Sequence, residues 1–321
     1  MKKHAGDKYG LLAGAGILVA VAVFFLPRTG DGPRPSEVRQ PEVKAVPVDP
    51  TVPLVGRPAD DSLIHAVLTP SGPVDHAQLL HRIEALPDTL TEAETHAICR
   101  ALREGLSDYS SLAPEQKHHL ANQLMDAVLR QKNASARLAG ELAEIWQSPK
   151  ADETLRDYAL QHLAQLIEGR GPASPHLSAW QTAGLPILLD AARNVHLRSS
   201  GTALLALHFL SDPSSPTAVQ VPELNGLIEG TAVDQAAHLA ARAAAFQAAA
   251  ARNGQSLLAE ARRLARDRSV NSGLRLSVIH YLGACGEATD RALLTAIAEE
   301  NDRRYLTASR SARTRLLSRL P

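Results

Sequence analysis

An arginine recurs five times between residues 156 and 313 of the chain. Each time a small or short apolar residue follows three positions later, and Leu or Ala follows seven positions later. The sets are Arg156 with Ala159 and Leu163, Arg198 with Gly201 and Leu205, and Arg242 with Ala245 and Ala249. Arg275 with Val278 and Leu282, and Arg313 with Leu316 and Leu320, complete the series. Successive arginines lie 42, 44, 33 and 38 residues apart. Offsets of three and seven place each set on one face of a helix. A period of about 40 residues holds two helices and their turns, a unit that cannot bury its apolar face alone but can do so against copies of itself. The pattern predicts an all-α solenoid in which each helix pair covers the next.

Local signals agree. Hydrophobic residues make up 45% of the 321, mostly Ala and Leu, and aromatics only 3%. Ala and Leu lose least on entering a helix, whereas sheets want β-branched and aromatic residues. About twelve helices fit between residues 60 and 320. "LTEAETHAICRALREG" shows how they are punctuated: Thr91 with Glu94 makes a capping box, Leu90 sits at the staple position, and Gly105 suits a left-handed end. Pro114 opens a following helix, Asp152 precedes another, and Asn253-Gly254 separates two more.

On these residues the chain resembles the HEAT-repeat family, best over 151–320. The segment "LARDRSVNSGLRLSVIHYLGACGEATDRALLTAIAEE" carries the likeness, with Asp267 at the turn and Leu274-Arg275 entering the second helix. The resemblance implies a HEAT-like scaffold that binds other macromolecules. A minority of such proteins are enzymes, so fold does not settle function.

Ahead of the repeats, Lys2, Lys3 and Lys8 precede an uncharged run from Tyr9 to Leu26. Eighteen helical residues span about 27 Å, close to a bilayer core of about 30 Å. The basic flank belongs on the cytoplasmic side, which puts the rest outside. "LPRTG" at Leu26–Gly30 resembles a sortase signal, but its apolar span and basic residues precede it rather than follow. Residues 27–58 hold eight prolines, which remove donors and favour extended backbone. The expected order is a cytoplasmic tail (1–8), a transmembrane helix acting as a signal anchor (9–26), a disordered Pro-rich linker (27–59) and a HEAT-like α-solenoid (60–321). The solenoid is expected in the periplasm of a bacterial inner (plasma) membrane protein that crosses the membrane once.

No HExxH, GxSxG, SxxK, Walker A or GxGxxG motif appears. Thirteen histidines are scattered, with adjacent His118 and His119 unable to share a metal. Glu115 and His118 have ExxH spacing without the further copies a di-iron site needs. His162, His208 and His280 read as hydrogen-bonded core residues. Cys99 and Cys285 lie among apolar residues and read as buried thiols. No catalytic residue, cofactor or metal is expected, and the rival reading is an enzyme with a site assembled across repeats.

Charge is uneven although the net is zero. Residues 75–168 carry 15 acids and 9 bases, and residues 260–321 carry 12 bases and 7 acids. The last helix holds Arg303, Arg304, Arg310, Arg313, Arg315 and Arg319 and no acid, with an apolar stripe of Tyr305, Ala308, Ala312, Leu316 and Leu320. These six arginines are the candidate partner-binding residues. They suit an acidic protein, anionic head groups, or the acidic repeats of another copy in a homo-oligomer; nucleic acid is not an expected partner.

Overall fold

The computed structural model describes residues 61–69, 75–169, 174–300 and 302–319. The tail, transmembrane helix and linker expected over 1–59 lie outside the described residues. Among the described residues no helix is long and apolar enough to cross a membrane.

The described elements belong to one compact unit, 59–321, and come as seven helix pairs. They are α1 (Asp61–Leu68) with α2 (His76–Glu84), α3 (Glu92–Arg103) with α4 (Pro114–Leu129), and α5 (Leu138–Gln147) with α6 (Glu153–Gly169). Then follow α7 (Leu177–Arg193) with α8 (Ser199–Leu210), α9 (Leu224–Val233) with α10 (Leu239–Ala251), α11 (Leu258–Arg266) with α12 (Ser272–Cys285), and α13 (Asp290–Ala298) with α14 (Arg303–Arg319). A 3-10 turn spans Ser107–Tyr109, and no strand occurs among the described residues. The sequence suggested about twelve helices; fourteen form among the described residues.

The even-numbered helices stack in one unbroken layer from α2 to α14. The odd-numbered ones form a second layer, continuous over α1, α3, α5 and α7 and again from α11 to α13, with α9 packed chiefly on α8 and α10. Small residues make the even layer tight. In α10, "LAARAAAFQAAAA", every residue from Ala241 to Phe246 is buried. A Cβ added at Gly201 of α8 would lie 2.9 Å from the carbonyl oxygen of Ala240, and one at Gly283 of α12 would lie 2.6 Å from Ala312 Cα on α14. Phe246 and Tyr281 meet edge-on at 5.6 Å between α10 and α12. Burying such a side chain contributes about 1.5–3 kcal/mol.

The helix ends follow the sequence signals. Thr91 and Glu94 close a capping box on α3, and Gly105 takes φ +67°. Asp152 accepts from Leu155 N at 2.9 Å, and Asn253 takes φ 53° beyond α10.

Three repeat arginines share one role. Arg156, Arg242 and Arg275 each occupy the fourth position of an even helix. Their Nε atoms donate to the carbonyls of Trp146 (2.6 Å), Ala232 (3.2 Å) and Ala265 (3.0 Å), always ten residues back. Each acceptor is the penultimate residue of the preceding odd helix, so the guanidinium satisfies a terminal carbonyl at the negative end of the helix dipole.

The other two arginines depart from this pattern. Arg198 precedes α8 and pairs across the even layer with Asp157 of α6 at 3.2 Å. Arg198 is the last residue of the turn before α8, four positions ahead of the fourth helical position, which Thr202 occupies. Arg313 sits in the middle of α14, where its Nη1 donates to Thr295 Oγ1 at 3.4 Å, and carries no junction. The irregular spacing has a structural source in the segment joining α8 to α9, 211–223. It packs inward with Thr217 and Val219 buried, and Gln181 donates to the carbonyl of Thr217. That insertion lengthens the interval from Arg198 to Arg242.

Cys99 and Cys285 are free and buried, as expected. His162 is buried and hydrogen-bonded. His280 is exposed and His208 half-buried, so neither belongs to the core assigned to it from sequence. An imidazole beside apolar residues can still project from a buried helix when it occupies the helix's one solvent-facing position.

Candidate functional site

Just ahead of the terminal helix α14 stands Asp302, whose Oδ1 accepts from Arg304 N at 2.9 Å. Its buried face is Tyr305, Ser309, Ala312 and Leu316, set against α12 and α13. Ala308, expected in that stripe, is half-buried, and Ser309 takes the closer position. Leu320 lies outside the described residues. Above the Tyr305 ring, the Arg275 guanidinium stands 4.6 Å from the centroid and that of Arg304 5.5 Å.

A helix advances 100° per residue, which parts the arginines onto two flanks. Arg303, Arg310 and Arg313 lie on the α13 side with Leu306 and Leu317, the latter 41% exposed. Arg304, Arg315 and Arg319 lie on the α12 side, where Arg315 approaches His280 at 3.5 Å. Exposed Thr307, Ser311, Thr314 and Ser318 fill the face between them. His280 reaches solvent, but the protein atoms crowded around its ring strip away hydration and hold it below the usual imidazole range, and Arg315 adds to the effect. Burial raises the Cys285 thiol, while Arg319 and Arg315 oppose the shift.

The six arginines are not equivalent. Arg304 forms an ion pair with Asp302 at 2.6 Å, so its charge is compensated. Arg313 is half-buried and engaged with Thr295. Among the described residues no carboxylate pairs with Arg303, Arg310, Arg313, Arg315 or Arg319, and of these all but Arg313 are exposed. Elsewhere, many charged side chains pair within the fold. Six acids of the first repeats pair internally, beginning with Asp88 to Lys132, Glu104 to Lys150, and Glu144 to Arg103. Asp126 pairs with His162, Glu141 with His96, and Asp152 with His118.

A second feature had no sequence signature. Between the first turns of α3 and α5 lies a half-open cavity of about 260 Å³, lined by Thr95, His96, Arg137 and Glu141 among others. His96 and Glu141 are 45 residues apart, a separation no local motif reports. Among the described residues no group of three or more His, Cys, Asp or Glu gathers as a metal site.

No known family matches the chain, and no curated protein does. Among solved structures it is similar to human deoxyhypusine hydroxylase in complex with glycerol, at 15% identity and a TM-score of 0.31. That alignment covers 80% of this chain and 96% of the other, too loosely superposed to carry an argument about fold or function.

Proposed function

We propose that the chain is a HEAT-like scaffold that binds an acidic protein through α14. In this reading residues 9–26 anchor it in the inner membrane, residues 27–59 space it from the bilayer, and the solenoid stands on the extracytoplasmic side. The supporting observation is a concentration of unpaired charge: Arg303, Arg310, Arg315 and Arg319 stay exposed on one helix without a carboxylate, whereas Arg156, Arg242 and Arg275 are engaged at the junctions. Arg forks onto carboxylates with two parallel donors, and an uncompensated cluster keeps the local potential positive on a neutral chain. Another protein fits better than a second copy of this chain, because Asp88, Glu104, Asp126 and Glu144 of the first repeats are already paired.

The test is capture of partners by the full chain from its own organism, repeated with Arg303→Glu and Arg310→Glu together. Both residues lie off the buried face, so folding should be spared, whereas reversal at Arg313 would disturb its contact with α13. Binding should weaken as added salt brings the screening length below about 8 Å and should fail in the double variant. Unchanged capture by the variant at low salt refutes the reading.

An enzyme assembled across repeats is favoured by one observation. In the α3–α5 cavity Glu141 orients His96 at 2.8 Å, the arrangement of an imidazole base held by a carboxylate. A turnover lost in His96→Gln with the fold intact would support this second reading.

A further inference from the structure

The flank of α14 that faces α13 carries more than charge. At about 100° per residue, Arg303, Leu306, Arg310 and Leu317 fall within about 60° of one another. One narrow stripe therefore combines basic and apolar side chains. Arg303 and Arg310 are exposed without a carboxylate among the described residues, Leu306 is half-buried, and Leu317 is 41% exposed. A single exposed leucine is ordinary, but one in register with a second leucine and two free arginines makes a patterned surface.

The charges that border the stripe are mostly of the same sign. Arg313 lies along it, held to Thr295 of α13 at 3.4 Å. One turn before Thr295, on the same face of α13, Arg291 is exposed and has no carboxylate partner among the described residues. Glu299, one turn after Thr295, is the exception. Because α13 leads into α14 through a short turn, Glu299 stands at the Arg303 end and Arg291 towards the Leu317 end.

The spacings select the shape of what fits. Along the axis of α14, Leu306, Arg310 and Leu317 stand about 4.5, 10.5 and 21 Å from Arg303. A second helix laid along the stripe meets these points about three, seven and fourteen residues from its first contact, all on one of its faces. An extended strand, at about 3.3 Å per residue, reaches them after about 1.4, 3.2 and 6.4 residues. Its two carboxylates would then point to opposite faces. The chemistry follows from the same points: carboxylates take the forks of Arg303 and Arg310, and apolar side chains cover Leu306 and Leu317.

We infer that the α13-side stripe of α14 holds an acidic amphipathic helix, with carboxylates about seven residues apart and apolar residues about eleven apart on one face. The inference rests on the reading of α14 as the surface that binds an acidic protein, and adds the form of the segment that is bound.

Peptide binding to the full chain tests it. Two labelled peptides of about 20 residues share one composition, two Glu and two Leu on an Ala/Gln background. In the first, Glu occupies positions i and i+7 and Leu positions i+3 and i+14; in the second, the leucines move to the opposite face. Anisotropy titrations should show the first peptide binding at least about tenfold more tightly. Leu317→Gln, at an exposed position, should bring the first peptide down to the level of the second and leave thermal unfolding unchanged. Equal affinity for the two peptides, or no binding of either, overturns the inference, and so does an unchanged affinity in Leu317→Gln. Tighter binding of phosphatidylglycerol vesicles than of the first peptide also overturns it and gives the stripe to a lipid surface. Partner capture separates the two levels. If the peptides fail while capture is still lost on reversal of Arg303 and Arg310, only the helical form is refuted. Capture unchanged by that reversal refutes the reading of α14 as well.

Discussion

Arg275 and Glu300 face each other fork to fork: Nη1 donates to Oε2 and Nη2 to Oε1, both at 2.8 Å. The same guanidinium caps α11 through the carbonyl of Ala265 and lies over Tyr305 of α14. One side chain thus fastens the last two helix pairs together.

With its side chain only 2% exposed, Arg275 cannot be replaced by water. Arg275→Ala should cost about 3 kcal/mol, since it strands a carboxylate and a helix-end carbonyl together. Arg275→Lys should recover only part, because an ammonium cannot reproduce the fork. Arg313→Ala, from the same sequence pattern, should cost less than about 1 kcal/mol. Denaturant melts of the three variants check the order. Equal losses at Arg275 and Arg313 would mean the pattern, and not the junction, sets the energy.

Close approach in the even layer predicts opposite outcomes for two glycines. Gly283→Ala forces α12 from α14 and should destabilise by about 1–3 kcal/mol. Gly230 in α9 has nothing within 4 Å of an added Cβ. Gly230→Ala should therefore stabilise by about 0.5–1 kcal/mol, by removing glycine's helix penalty. Thermal unfolding of both variants under one condition is sufficient.

Asp157 should titrate far from an ordinary carboxylate. Its side chain is 4% exposed and Oδ1 has no partner, so burial pushes it from 3.8 up to about 7, against the pull of Arg198. The folded chain then holds this proton more tightly than the unfolded one. Its stabilising contribution is complete below about pH 4 and is lost as pH rises through about 7. A carboxyl carbon resonance titrating near neutrality would confirm the value. Asp157→Asn should flatten the fall in melting temperature over the same interval.

What was legible in the sequence, and what was not, separates by range. The Thr91–Glu94 cap, the Gly105 terminus and the Asp152 cap are local, and all three form as read. Arg156, Arg242 and Arg275 were legible as junction residues because their acceptors lie a fixed ten residues back. Arg198 and Arg313 matched the spacing without the geometry, since a position just ahead of the helix and a mid-helix register produce the same offsets. Of the candidate site, the basic character of α14 was plain, but the Asp302 partner of Arg304 and the burial of Arg313 needed coordinates. The histidine pairs of the α3–α6 junction join residues 34 to 45 apart, and no periodicity encodes them.

Binding at α14 is the central claim, and site-specific photocrosslinking in cells tests it most directly. A photoreactive residue would replace Ser311, exposed between the two arginine flanks, or Gln161, on the solvent side of α6. The account predicts a discrete protein adduct from position 311 that disappears when Arg303 and Arg310 are reversed to Glu, and none from position 161. Adducts from position 161 alone would place the binding surface on the even-helix layer and reduce α14 to a cap.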